Sequence, residues 1–243
     1  MELPKALPYR NKKQCCHFAE SKNLPQLCEA INDSSIGSES HVDGCTCIDF
    51  MACKTVVVTA VSALYWWNSL DAIASVQSTM PDVRIKVADL GMWQSQADYM
   101  RRLRNVEVFA FPFESFPPHV RNLKTYAWKP LLVHMFLLQY EVVFYMDSSA
   151  RLKCSLTHQL LDGLRNFPIR VQLNSFYDGS FTSDGTYEYL GVTRRRAGKC
   201  IQLDANRLLF RNSSFLYQKI MSHFVDCALH EECIAPPGSS PYG

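Results

Sequence analysis

The stretch of sequence that decides the fold is TYAWKPLLVHMFLLQYEVVFYMDSSARLK, residues 125–153. After Lys129 the apolar residues recur at helical spacing. Residues 142–146, VVFYM, form a short apolar run rich in β-branched and aromatic side chains, which is typical of a strand covered on both faces. The pattern therefore predicts a helix that leads into a buried strand, and the strand ends at Asp147.

A regular alternation of strands and helices precedes this stretch. It predicts strands over residues 55–60, 83–89 and 106–111, with helices over residues 64–80 and 94–103 between them. Because strands that alternate with helices form parallel sheets, the expected fold class is α/β, with a doubly wound and mainly parallel sheet.

The pattern is weaker after Asp147. It predicts helices over residues 156–164 and 215–229 and strands over residues 169–173 and 201–210. Residues 174–199 are polar and rich in Gly and Tyr, which favours a long loop, and long loops are usually functional or mobile. The loop carries a basic cluster that either closes over phosphates or forms a solvated face. The cluster and three candidate general bases are Arg194, Arg195, Arg196 and Lys199, and Asp178, Asp184 and Glu188.

The composition of the 243-residue chain fits one large α/β domain with an extension. A hydrophobic fraction of 47% is ample for a packed core, and a charged fraction of 20% argues against global disorder. The net charge of +2 gives no electrostatic signal for a nucleic-acid partner or an anionic membrane. No run approaches the ~20 apolar residues of a membrane span, so we expect no span in this chain.

The ten cysteines are unevenly distributed, with six of them in the first 53 residues. The near pairs Cys15–Cys16 and Cys45–Cys47 have spacings that suit a metal cage poorly. An even count and a short-range pair, Cys227 and Cys233, favour disulfides, although free structural thiols and a metal site stay open. Residues 1–53 are therefore predicted to form a Cys-rich N-terminal extension or stem, followed by the α/β domain over residues 54–243.

Two glycosylation sequons, at Asn32 and Asn212, agree with a disulfide-forming environment. Together with the cysteines they predict the lumen of the secretory pathway, such as the Golgi, or an extracellular location. Since the start of the chain lacks the apolar run of a secretory signal, we expect the targeting signal to lie upstream of Met1.

Three candidate binding residues fall at the carboxyl ends of predicted parallel strands, where open α/β sheets bind their ligands. They are Thr59, within the strand end at residues 59–62, Asp89 and Asp147. Asp89 either accepts hydrogen bonds from a ribose or base, or only begins the turn with Gly91. Asp147 either holds a hard divalent cation that bridges a diphosphate, or only caps the turn that leaves the strand. The chain lacks both the G-x-G-x-x-G fingerprint and a P-loop motif, which disfavours those two kinds of nucleotide site.

The residues around Asp147 leave further alternatives open. Lys129 could supply positive charge to a diphosphate, or be a solvated residue of the first helical turn. Tyr126 and Trp128 could stack on a sugar or base, or belong to the core. The neutral hydroxyls of Ser148 and Ser149 add little to a cation site with one carboxylate.

Five short motifs carry a family resemblance. Residues 54–237 resemble an uncharacterised animal family, well represented in nematodes, which in turn looks like the GT-A type nucleotide-sugar glycosyltransferases. The motifs are VVVTAVS (56–62), ADLG (88–91), YAWKPLL (126–132), VVFYMDSSARL (142–152) and CALHEECIAPPGS (227–239). The most specific combination is YAWKP of the third motif, followed after a helix and a strand by MDSS of the fourth motif.

The resemblance implies a GT-A fold that binds a nucleotide-diphosphate sugar at a strand-end Asp-x-Asp motif. Asp147 takes the first place of this motif, whereas Ser149 stands where the second Asp would be. The implied metal is Mn²⁺, held by Asp147, although the serine departs from the metal-binding pattern. The nucleotide-sugar-binding residues that we expect are Thr59, Asp89, Lys129, Asp147 and Ser149.

Relatives continue beyond the Cys-Ile-Ala-Pro segment into a stretch with His-Arg and Asp-Gln-Ser, which looks like part of the catalytic floor. Because this chain ends at Gly243, we expect the domain to be incomplete at its C-terminus. The leading hypothesis is a glycosyltransferase-like domain that transfers a sugar from a nucleotide-diphosphate sugar to a glycan or protein acceptor. The alternative is a non-catalytic glycan- or protein-binding domain of the same fold, either a pseudoenzyme or a truncated form.

Overall fold

A computed structural model describes residues 55–153, 164 and 166–240 of the chain. The predicted extension over residues 1–53, with its sequon at Asn32, lies outside the described residues. The same holds for nearly all of the helix predicted over residues 156–164.

Six strands of the described chain form one mixed sheet. They are β1 (Thr55–Val61), β2 (Arg84–Asp89), β3 (Val106–Ala110), β4 (Val142–Met146), β5 (Ile169–Tyr177) and β6 (Ile201–Arg211). Their order is β3-β2-β1-β4-β6-β5. The pairs β1–β2, β1–β4 and β2–β3 are parallel, and β6 is antiparallel to β4. The predicted α/β fold class with a mainly parallel sheet is confirmed.

The helices of the described residues connect these strands. They are α1 (Trp66–Thr79), α2 (Gln94–Met100), α3 (Trp128–Leu137), α4 (Asp184–Leu190), α5 (Arg194–Ala197), α6 (Ser214–Leu216), α7 (Ser222–Leu229) and α8 (Glu231–Ile234). A π-helical turn over Tyr217–Met221 joins α6 to α7. Within the described ranges, every helix is too short or too polar to cross a membrane.

The segment predicted to be a long loop, residues 174–199, is more regular than expected. Strand β5 runs on to Tyr177, and helices α4 and α5 follow it. The carboxylate of Asp178 accepts hydrogen bonds from the hydroxyls of Thr182 and Tyr187 and so ties these elements together. Gly191, with a φ of 68°, ends α4 in the left-handed conformation that favours glycine. The prediction of a long loop was wrong. The short helices are held by hydrogen bonds between side chains, and the sequence of this segment shows no apolar periodicity that would have indicated them.

The described chain contains two compact units. Residues 175–202 and 231–240 belong to the smaller unit, and the described parts of residues 42–174 together with residues 203–230 belong to the larger one. In the larger unit every residue of β1 and β4 is buried, as predicted for strands covered on both faces. Helix α1 packs on this central pair through Ile73 and Val76.

The strand order reverses at β1, and this reversal positions the candidate site. From β1 the chain passes outward to β2 and β3, then returns to β4 on the other side of β1. In open α/β sheets, ligands bind outside the carboxyl ends of the strands at such a switch point. The carboxyl ends of β1 and β4 therefore border the expected ligand crevice.

Candidate functional site

Asp147 lies at the switch point, directly after the last residue of β4. Its backbone N–H donates to the carbonyl of Asn206 (2.8 Å), and its own carbonyl accepts from the N–H of Ala150 (2.9 Å). The side chain is 30% exposed. The strand-end carboxylate predicted from the sequence is therefore held in a fixed turn and is open to solvent.

Lys129 forms a buried ion pair with this carboxylate. Its Nζ lies 2.9 Å from Oδ1 of Asp147 and donates to the carbonyl of Ala205 at 3.1 Å. Only 9% of the lysine side chain is exposed, although the residue stands in the first turn of α3. The alternative of a solvated surface lysine is therefore wrong, because α3 packs this side of the helix onto the sheet.

Three aromatic rings surround the ammonium of Lys129. Its Nζ lies 5.0 Å from the ring centroid of Tyr145, 5.3 Å from that of Tyr126 and 5.8 Å from that of Trp128. A cation over an aromatic face gains up to about 2 kcal/mol when it is shielded from water. The carboxylate, the carbonyl and the rings together offset the cost of burying this charge.

Tyr145 makes the second contact to Asp147. Its hydroxyl donates to Oδ1 at 2.5 Å, and the residue is completely buried. Burial raises the pKa of Tyr145 well above its usual value, and the charge and hydrogen bond of Asp147 raise it further. The phenol therefore remains a donor, and since both contacts go to Oδ1, Oδ2 is the carboxylate atom left for a ligand.

Tyr126 and Trp128, the two rings considered for stacking, differ in exposure. Trp128 is buried, and its Nε1 donates to the carbonyl of Leu123 at 3.2 Å, so this ring belongs to the core. Tyr126 is 55% exposed and has a φ of 57°, a left-handed conformation that is rare for a bulky residue. Such strain clusters at binding sites, and Tyr126 offers the accessible ring next to Lys129.

Asp89 forms the turn that follows β2. Its Oδ1 accepts the backbone N–H groups of Gly91 (2.8 Å) and Met92 (2.6 Å), and Gly91 has a φ of 114°. Asp89 therefore begins the turn with Gly91, which is one of the two alternatives that the sequence left open for Asp89. Its predicted contact with a nucleoside, which would use Oδ2, stays a prediction.

Thr59 does not reach the edge of the sheet. Strand β1 runs on to Val61, one residue further than the predicted strand end. The Thr59 side chain is 2% exposed, and its buried hydroxyl has no hydrogen-bond partner among the described residues. The hydroxyl of Thr59 therefore lies in the interior of the sheet, and its predicted contact with the nucleotide sugar stays a prediction.

Ser149 is exposed in the turn after Asp147, where the second carboxylate of the implied motif would stand. Arg151 secures this turn by donating to the carbonyls of Ser148 and Ala150, each at 2.9 Å. The same guanidinium pairs with Asp71 of α1 at 3.1 Å. The Ser149 hydroxyl is therefore accessible beside Asp147 on an anchored turn.

The donor set around Asp147 does not fit Mn²⁺. Hard divalent cations take several oxygen ligands, and carboxylates dominate protein sites for them. Here the single carboxylate already binds an ammonium and a phenol, and Ser149 adds a neutral hydroxyl. The described residues also contain no group of three or more His, Cys, Asp or Glu side chains placed to hold a metal.

Exposed aromatic residues near the carboxyl ends of β1 and β2 were missed in the sequence. Trp67 is 74% exposed and Trp93 is 70% exposed, and Tyr65 is also exposed. Trp67 packs edge-on against the buried Trp66 (4.7 Å between centroids), whose Nε1 donates to the carbonyl of Gln96 in α2. The signal was available, because Tyr65-Trp66-Trp67 follows a strand end almost directly and three adjacent aromatic residues cannot all be buried on one helix face.

In the smaller unit, Arg194 and two candidate bases have structural contacts. Arg194 binds the carboxylate of Asp184 (2.7 Å) and the carbonyl of Thr182 (2.9 Å). Asp178 accepts the hydroxyl of Tyr187 at 2.7 Å. These contacts stabilise the segment itself, while Arg195, Arg196, Lys199 and Glu188 are exposed.

The described residues include the cysteines near the C-terminus and the glycosylation sequon at Asn212. Cys200, Cys227 and Cys233 are disulfide-bonded, while the pairing of Cys227 with Cys233 stays a prediction. Asn212 is exposed, and its Nδ2 donates to the carbonyl of Leu137 at 2.7 Å. Glycosylation replaces one amide hydrogen and leaves the other for this bond, so the predicted glycan is compatible with the contact.

Comparison with protein families gives one match. A family model described as "Protein of unknown function (DUF1647)" matches residues 16–134. The match crosses residue 53, the predicted boundary between the Cys-rich extension and the α/β domain. Comparison with curated proteins finds no match.

Two solved glycosyltransferases share the fold. Core-mannan synthase A (CmsA/Ktr4) from Aspergillus fumigatus, solved in its Mn/GDP form, is 10% identical, with a TM-score of 0.52 over 86% of this chain and 75% of that chain. The mannosyltransferase Ktr4p from S. cerevisiae, solved in complex with GDP, is 9% identical, with a TM-score of 0.50 over 90% of this chain and 72% of that chain. The chain therefore has the fold of the GT-A glycosyltransferases, as the sequence resemblance implied.

Proposed function

We propose that the chain binds a nucleotide-diphosphate sugar at the edge of the sheet beside Asp147 and transfers the sugar to a glycan or protein acceptor. The observation that carries the proposal is the position of Asp147 at the topological switch point, fixed there by Lys129 and Tyr145. The GT-A fold supports it, and both similar structures were solved with GDP.

Sugar transfer would require an acceptor hydroxyl oxygen to bond with the anomeric carbon while the bond from that carbon to the diphosphate oxygen breaks. The diphosphate leaves with the bonding electrons, and the acceptor proton passes to a base. In this chain Oδ2 of Asp147 would accept a hydrogen bond from a ribose hydroxyl of the donor, because a carboxylate repels the diphosphate itself. The ammonium of Lys129 would offset the diphosphate charge, the hydroxyl of Ser149 would donate to it, and Asp89 would face the nucleoside. Their contribution is to hold the anomeric carbon in line with the acceptor.

The exposed aromatic residues favour a glycan as the acceptor. Tyr65, Trp67 and Trp93 lie in the segments that follow β1 and β2, on the edge that carries the proposed donor site. Clustered exposed apolar side chains mark interaction surfaces. Flat rings with a polar edge suit the apolar faces and hydroxyls of sugar rings, whereas a protein acceptor would offer a larger apolar surface.

The proposed location is the lumen of the secretory pathway, such as the Golgi, or the extracellular space. Disulfides persist in oxidising compartments and are rare in the cytosol. The disulfide-bonded Cys200, Cys227 and Cys233 and the exposed sequon at Asn212 support this proposal.

A non-catalytic binding domain of the same fold is the second candidate. The observation that favours it is the replacement of the second motif carboxylate by Ser149, combined with the neutralisation of Asp147 by Lys129. Such a domain would bind the nucleotide sugar, or a glycan alone, without turnover.

Thermal unfolding in the presence of UDP, GDP, CDP or no nucleotide tests the donor site. A ligand present at 100 times its Kd stabilises the fold by about 2.7 kcal/mol, a rise in Tm of roughly 5–10 °C for a domain of this size. A shift with one nucleotide supports the donor site, and release of free sugar from the matching nucleotide sugar separates an enzyme from a binder. If a cooperatively unfolding sample shows no shift with any nucleotide, the proposal fails.

A further inference from the structure

We infer that this site takes its nucleotide diphosphate without a divalent cation, because the ammonium of Lys129 already occupies the oxygen of Asp147 that a cation would need. The identity of the ligand rests on the proposed function. The position of the ammonium does not, because it follows from the contacts of three described residues, Lys129, Tyr145 and Asp147.

The carboxylate of Asp147 has only one oxygen without a protein contact among the described residues. Oδ1 of Asp147 lies 2.9 Å from the ammonium of Lys129 in an ion pair, and it accepts a hydrogen bond from the hydroxyl of Tyr145 at 2.5 Å. A cation held by both oxygens would have to share Oδ1 with these two donors. A cation held by Oδ2 alone would have one protein carboxylate oxygen and would lie close to a like charge.

Lys129 is held in place and does not move aside for a cation. Its side chain is 9% exposed, and Tyr145, Tyr126 and Trp128 surround the ammonium within 5.8 Å. Its Nζ also donates to the carbonyl of Ala205. Displacement would strand a buried charge among aromatic rings, which is strongly unfavourable. The ammonium is therefore a fixed part of the site.

A neutral residue occupies the position where a second anionic ligand would stand. Ser149 contributes a neutral hydroxyl, so the protein offers a cation no carboxylate beyond Asp147 on this turn. The pair of Lys129 and Asp147 has no net charge, whereas a cation site that binds through carboxylates carries a negative one. The local charge therefore neither attracts a divalent cation nor requires one for folding.

Titration with Mn²⁺ alone tests the inference without any nucleotide. Free Mn²⁺ is followed by its electron paramagnetic resonance signal for the wild type, Asp147→Asn and the matched control Glu107→Gln. Glu107 also pairs with a lysine, Lys86, but lies near the amino-terminal end of its strand, away from the site. We expect the three proteins to bind Mn²⁺ equally, and a loss of about tenfold or more in Asp147→Asn alone would overturn the inference, since removal of a metal-site residue has at least this effect.

Nucleotide binding with and without metal is the second test. The Tm shift of the wild type with its best nucleoside diphosphate is measured in EDTA and in Mn²⁺. Equal shifts are expected, and a shift that disappears in EDTA would overturn the inference. If no nucleotide gives a shift in either condition, the proposed function fails, whereas the Mn²⁺ titration still decides whether Asp147 binds a cation.

Discussion

Nζ of Lys129 and Oδ1 of Asp147 lie 2.9 Å apart, and the lysine is the more deeply buried partner of this pair. The contact joins the first turn of α3 to the end of β4. It fixes the orientation of Asp147 at the switch point of the sheet. The stability of this part of the domain and the geometry of the candidate site therefore depend on the same two side chains.

Asp147→Asn should destabilise the fold even though the side-chain shape is nearly unchanged. Loss of one partner from a fully buried ion pair costs 3–5 kcal/mol, because the other charge is left unpaired. Since Asp147 is 30% exposed, water can partly solvate Lys129, and we expect about 2–3 kcal/mol. Urea unfolding of the variant and the wild type measures this difference.

The double variant Lys129→Met with Asp147→Asn provides the control for this prediction. Because the buried charge is then removed together with its partner, the double variant should be more stable than Asp147→Asn alone. Additive losses from the two single variants would mean that the pair does not couple the two elements.

Tyr145→Phe should lower the free energy of unfolding by about 1.5 kcal/mol, because a hydrogen bond to a charged group is worth ~1.5–3 kcal/mol and Lys129 still satisfies Oδ1. Tyr140→Phe is the matched control, since its hydroxyl has no hydrogen-bond partner among the described residues. It should change stability by less than about 0.5 kcal/mol. Equal losses in both variants would show that the Tyr145 hydroxyl does not stabilise the site.

The stability of the smaller unit should decrease at high pH through Tyr187. Burial raises the pKa of Tyr187 from 10.0 to about 12, and its hydrogen bond to Asp178 adds to the shift. Between these two values the unfolded chain has lost a proton that the folded chain keeps, so the free energy of unfolding decreases as pH rises. The stabilising contribution is complete below pH 10 and disappears toward pH 12.

Denaturant unfolding at pH 9 and pH 11 checks this dependence for the wild type and Tyr187→Phe. All other titratable groups are the same in both proteins, so the difference between them isolates Tyr187. The wild type should lose more stability than Tyr187→Phe, and an identical loss would exclude the contribution.

Asn212 should carry an N-linked glycan when the chain is produced in a secretory host. The residue is exposed, and its amide can keep the hydrogen bond to the carbonyl of Leu137 after modification. Enzymatic deglycosylation should shift the mass of the wild type. Ser214→Ala destroys the sequon but keeps the asparagine contact, so this variant should lose the part of the shift that belongs to Asn212. An equal shift in both proteins would contradict the assignment.

The order of elements around the site could be predicted from the sequence because it depends on local patterns. The apolar run at residues 142–146 predicted β4, and Asp147 after it marked the strand end correctly. The same reasoning placed the end of β1 one residue early, at residue 60, since Val61 still belongs to the strand. A run of small and β-branched residues contains no marker for where the ladder of hydrogen bonds stops.

The ion pair itself could not be predicted. A lysine at the second position of a helix usually faces water, and only the packing of α3 on β4 brings Lys129 between Tyr145 and Trp128. The structural roles of Asp178 and Arg194 were hidden for the same reason, because both depend on contacts between separate short elements of residues 174–199. Periodicity identifies elements, whereas these contacts arise only when the elements meet.

Calorimetric titration of the best nucleoside diphosphate into the wild type, Asp147→Asn and Glu107→Gln tests the central claim most directly. Both variants remove a carboxylate paired with a lysine, but only Asp147 lies at the switch point of the sheet. We predict that Asp147→Asn weakens binding by at least about tenfold, or 1.4 kcal/mol, while Glu107→Gln binds like the wild type. Equal affinities for all three proteins would contradict the claim that the nucleotide sugar binds at Asp147.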